Sequence, residues 1–216
     1  MASIGNHYYA RLFLASLICA FALVQDSLEA VVASMLISPV GEPLFLIAPA
    51  ALSGNIPALM GAIGTLAVSI ATMLGVGASV RAWEGGGPRN LTHEMSKRTS
   101  KFSKRDVFIY ALLIGAASTT TLPSLGLTSA TAALFATGLA VAISILPPIV
   151  NAGALLFDAL KEVGYVRTLT ANSRPTVIKS TRPFAPARTS FLLACINMAG
   201  VIIASFATKA ANSRLR

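Results

Sequence analysis

From Tyr9 to Ile37 the chain is apolar at most positions, and Leu12 to Val24 carries no charge. Neither the one-sided stripe of a surface helix nor strand-like alternation is present, so the run predicts a helix that is apolar all round, as lipid requires. Residues 9–37 are predicted as one helix with Gln25, Asp26 and Glu29 as its polar interruption. At about 1.5 Å per residue it crosses a hydrocarbon core of about 30 Å with some tilt. Ser38-Pro39-Val40-Gly41-Glu42-Pro43 then breaks it, because proline lacks a backbone donor and disfavours helix in the residue before it.

A short apolar piece, Leu44 to Leu52, contains Pro49 and ends in the polar turn Ser53-Gly54-Asn55. Pro57 to Arg81 is a full-length span in which Gly61, Gly64, Gly75 and Gly77 allow close helix contact. A loop from Trp83 to Arg105 follows. The second half opens with Val107 to Thr121, turns at Pro123 to Gly126, and continues as a helix from Thr128 to Leu146 that Pro147-Pro148 breaks. Ile149 to Leu160 is a second short piece, Lys161 to Arg188 a basic loop, and Thr189 to Thr208 the last span.

Setting Pro39 against Pro147 aligns span, proline break, short piece, turn or loop, and span in both halves. A recurrence of interrupted helices points to a repeat-built transporter. The expected organisation is a first transmembrane repeat at 1–83, a basic cytoplasmic linker at 84–106, an extra helix plus second repeat at 107–210 with the basic loop 161–188, and a tail at 211–216. Both basic loops lie on one side only if each broken pair crosses once in net terms, which makes the halves inverted. The expected fold class is all-α, a polytopic membrane helical bundle.

Composition supports this class, with 55% hydrophobic and 12% charged residues in 216. The formal charge of +9 resides mainly in segments flanking the apolar runs, where it reports topology and anionic headgroups rather than nucleic acid. An alternative for the first run is a signal peptide, with Ala20-Phe21-Ala22 as a cleavage pattern, but apolar character resumes from Leu28. Cys19 and Cys195 lack metal-site spacing, and His7 and His93 lie outside the spans in no metal motif, so neither a metal nor a cofactor is expected. No nucleophile elbow or nucleotide-binding context occurs, so the chain does not read as an enzyme.

Gln25-Asp26-Ser27, Ala30-Val31-Val32, Ser34 to Pro39 and Pro43, with Ala142 to Pro148 far downstream, resemble the hydrophobic prokaryotic family called domain of unknown function 389. The likeness extends from Ala22 to Ser205. It implies a membrane protein of the transporter or channel kind and brings no established activity. The chain departs from the family pattern at Gly41-Glu42, where related motifs tend to carry Met-Gly, and in the basic segment before the last span.

Ser34, Ser38, Glu42, Ser144 and Asn151 flank the two breaks and form the candidate site for an ion or small solute, since interrupted backbone leaves carbonyls and amides able to coordinate. The plainer reading of Glu42 is a solvated surface loop. Asp26 and Glu29 share a face of the predicted first helix and are candidates for proton or cation coupling; alternatively they cap a kink or sit at headgroup level. Asn197 reads as interhelical glue and Asp158 as a local ion pair with Lys161. Lys97, Arg98, Lys101, Lys104 and Arg105 suit lipid headgroups. The functional expectation is a small transporter or channel, with room for a homo-oligomer through the glycine-rich span; the alternative is a non-transporting scaffold or anionic-lipid-binding protein.

Overall fold

The computed structural model of the chain describes residues 6–85, 91–97, 145–163 and 183–214. All regular structure among them is helical. Helix α1 is Asn6–Val24, α2 Leu28–Ile37, α3 Gly41–Leu52, α4 Ile56–Trp83 and α5 His93–Lys97. Residues 145–163 belong to α6, and α7 is Ala185–Arg214. The predicted helices at 107–121 and 128–144 lie outside the described residues.

The first apolar run is not one helix. It reverses at Gln25-Asp26-Ser27, so α1 and α2 form a hairpin in which Arg11 Nη2 donates to Ile37 O at 3.4 Å. The amides of Gln25 and Ser27 return to Phe21 O and Ala22 O, closing the end of α1, while Asp26 takes a left-handed φ of 58°. Glycine normally fills such a position; aspartate tolerates it better than most residues. Ser27 then starts α2, its hydroxyl accepting the Ala30 amide, and Glu29 favours the same helix start electrostatically. Asp26 and Glu29 therefore do not share a helix face, contrary to the sequence expectation.

The break at Ser38-Pro39-Val40 is present, and α2 and α3 meet there with a bend of 42°. Helix resumes at Gly41, earlier than predicted, because proline fits a first helical turn that needs no donor from it; Glu42 and Pro43 sit in that turn. At the other end of α3 the chain turns through Gly54, and the Asn55 side chain accepts the Ala58 amide to start α4. Helix α4 packs on both α1 and α3.

Pro147 and Pro148 lie in the first described turn of α6, and the predicted helix before them lies, but for Ile145 and Leu146, outside the described residues. The described helix runs through both, from 145 to 163. Ser190 Oγ of α7 donates to Pro148 O at 2.9 Å, tying this turn to the last helix.

Helices α1, α4 and α7 are long and apolar enough to cross a membrane, and the bent α2–α3 pair adds a fourth crossing if it counts as one span. The distribution of polarity agrees with lipid outside. Phe13, Leu14, Leu46, Met60, Ile63 and Ile203 are exposed, whereas Ser16, Ser34, Ser69, Asn151 and Ser205 are buried. The chain is an integral membrane protein with its polar groups turned inward.

Candidate functional site

The interior is organised along the contact of α4 with α6. A methyl group on Gly77 would collide with Val150 O, and one on Gly153 with Leu74 O, so each backbone occupies the space where the other helix would carry a side chain. Gly61, Gly64 and Gly75 would meet nothing within 4 Å. Of the predicted contact glycines of α4, then, Gly77 is the one that this crossing uses.

Farther along the same contact, Arg81 Nε lies 3.2 Å from Asp158 Oδ1 and 3.0 Å from Oδ2, with both side chains buried. Helices α4 and α6 cross where Leu74 and Gly77 meet Gly153 and Val150, and beyond that crossing Arg81–Asp158 and Gly85–Lys161 show the two running in the same direction. Their C-terminal ends consequently lie together, and Lys161 Nζ donates to Gly85 O there at 3.2 Å. The expected local pair of Asp158 with Lys161 thus gives way to a long-range hydrogen-bonded pair with Arg81.

Short helix α5 docks against the α1–α2 turn. Thr92 donates its hydroxyl to Leu23 O at 2.6 Å, an otherwise orphaned carbonyl at the end of α1, and accepts the Met95 amide at 3.3 Å. Asp26 Oδ1 accepts the Glu94 amide at 2.7 Å. Asp26 is exposed yet structural: its carboxylate caps a helix 68 residues away in sequence. The sequence offered Asp26 as the cap of a kink in its own helix; the helix it caps is α5.

This docking buries Met95 completely and brings its carbonyl to Asn151, whose Nδ2 donates to Met95 O and to Ser190 Oγ, each at 3.2 Å. Ser190 passes its own hydrogen to Pro148 O. Both Asn151 donors are spent, and Oδ1 is fully buried with no hydrogen-bond partner among the described residues. A buried amide oxygen left without a donor costs about 1–3 kcal/mol.

The other sequence candidates are placed as follows. Ser34 is buried and donates to Val31 O at 2.6 Å; Ser38 is buried at the break, where its hydroxyl faces the Val40 amide at 3.5 Å. Glu42 is half-buried and Glu29 exposed, within reach of the Ser27 hydroxyl at 3.2 Å. No hydrogen bond joins Asn151 to Ser34, Ser38 or Glu42 among the described residues. Ser144, Arg98, Lys101, Lys104 and Arg105 lie outside them, as does the side chain of Lys97. Asn197 is buried in α7, as structural glue requires.

Sequence reasoning missed Arg81, Thr92, Met95 and Ser190. A charge at the end of an apolar span is one clue, since buried Arg81 and Asp158 each demand a partner. Nothing local foretells the docking of α5.

The family model described as Domain of unknown function (DUF389) matches residues 35–203. No curated protein and no solved structure matches the chain.

Proposed function

We propose that this chain, which belongs to the DUF389 family, is a small membrane transporter or channel for an ion or small solute, with Asn151 in its pathway. The supporting observation is the buried, unpartnered Asn151 Oδ1 inside a lipid-solvated bundle. Polar groups at membrane depth are expensive, and their usual role there is to line a route or to bind. Met95 O and Pro148 O add backbone acceptors around the same side-chain cluster. Ser34, Ser38 and Glu42 contribute from the α2–α3 break in this reading, and Asp26 and Glu29 lie at the end of α1 that solute or protons would reach.

The basic segments that follow α4 and α6 leave from ends that lie together, in keeping with a common cytoplasmic face and inverted halves. The reading assigns no catalytic step to any residue. Purified protein in liposomes, screened for release of small ions and solutes, tests it. Flux that disappears in Asn151→Leu is expected. Flux that survives Glu42→Gln, Asp26→Asn and Glu29→Gln together removes the acids from the pathway. Absence of any flux, with strong binding to anionic lipid, would favour the scaffold reading instead.

A further inference from the structure

Resting on that reading, we infer that the site at Asn151 takes a monovalent cation and rejects anions. Asn151 Nδ2 spends both of its hydrogens on Met95 O and Ser190 Oγ, and Ser190 spends its hydroxyl on Pro148 O. Four other buried serine hydroxyls of the described residues turn back on their own helices: Ser16 to Leu12 O, Ser34 to Val31 O, Ser69 to Thr65 O and Ser205 to Val201 O. Because Ser69 has used its hydrogen, Tyr8 must be the donor in its 2.8 Å contact with Ser69. Each of these groups now turns lone pairs, not hydrogens, toward anything that enters.

The buried guanidinium does not reverse that balance. Arg81 Nε lies against both oxygens of Asp158, so the pair presents little net charge. An anion reaching Asn151 would meet the negative end of the amide dipole, whereas a cation would gain the same type of oxygen ligand that selectivity filters use. Divalent ions fit poorly, because they require carboxylates or retained water to offset dehydration, and the oxygens gathered at Asn151, its own Oδ1 with Met95 O and Pro148 O, are all neutral. Thiophilic or imidazole-binding metals lack ligands too, since no group of three His, Cys, Asp or Glu capable of holding a metal occurs among the described residues. The chemical class is therefore sodium, potassium or ammonium.

The test uses the full chain purified in detergent. Thermal unfolding is followed in chlorides of sodium, potassium, ammonium and choline at equal ionic strength, and again with gluconate in place of chloride. At least one small cation is expected to raise the midpoint by a few degrees over choline, independently of the anion, and Asn151→Leu to abolish the difference. Ammonium acting alone identifies a hydrogen-bond donor; sodium or potassium identifies oxygen coordination. Equal midpoints in all four chlorides would overturn the inference and leave a buried water as the partner of Oδ1. Reversal potentials in planar bilayers supply the second measurement. Anion-selective current overturns the inference while leaving transport standing; cation stabilisation without flux supports the site and overturns the transport reading.

Discussion

Arg81 and Asp158, 77 residues apart, lock the C-terminal parts of two parallel helices together through a buried ion pair. Each charge is tolerable only because the other is present. Removing one alone, as in Arg81→Met or Asp158→Asn, is expected to destabilise the bundle by about 3–5 kcal/mol, whereas replacing both with apolar residues recovers most of the loss. Unfolding in mixed micelles across this double-mutant cycle checks the coupling. Equal and additive losses would contradict it.

The glycines of α4 divide sharply. Gly77→Ala and Gly153→Ala each place a methyl group against a backbone carbonyl of the facing helix, which cannot give way without moving that helix. Losses of about 1–3 kcal/mol are expected, as for other overpacked sites. Gly61→Ala and Gly64→Ala meet nothing and should be neutral or stabilising by up to about 1 kcal/mol, through the better helix propensity of alanine. Thermal unfolding of the four variants separates the two groups.

Asp26 carries two jobs, a left-handed turn and a cap on the Glu94 amide, and substitutions can divide them. Asp26→Asn keeps both and should be nearly silent. Asp26→Gly keeps the turn and loses the cap, at about 1 kcal/mol. Asp26→Ala loses both and adds about 1–2 kcal/mol for the alanine Cβ in that conformation. Faster hydrogen exchange at the Glu94 amide in the glycine and alanine variants is the local readout.

The Tyr8 hydroxyl ties α1 to the middle of α4 through Ser69. Tyr8→Phe removes one donor while Ser69 keeps its bond to Thr65 O, so the expected cost is about 1 kcal/mol, measurable as a small downward shift in unfolding midpoint.

How much of this was legible in the sequence depends on whether the cause is local. The membrane class follows from uninterrupted apolar runs, and the Ser38-Pro39 break and the limits of α4 follow from proline and from Asn55 as a cap. The hairpin at Asp26 did not announce itself, because a left-handed aspartate is exceptional; Ser27 followed by Glu29, a helix start signal, was its one local mark. Pro147-Pro148 lie in the first described turn of α6, and the segment before Ile145 lies outside the described residues. Asn151 was recognisable as a polar residue in an apolar run. Its partners Met95 and Ser190 were not, because they are 56 and 39 residues away and chosen by packing.

The central claim is that solute reaches Asn151 from water. Cysteine labelling tests this most directly, using Asn151→Cys in a chain whose Cys19 and Cys195 have been changed to serine, with Trp83→Cys as an exposed control. The account predicts that Cys at 151 reacts with a small cationic thiol reagent faster than with an anionic one of equal size. Failure of both reagents to modify it, while the control at 83 reacts with each, would contradict the account.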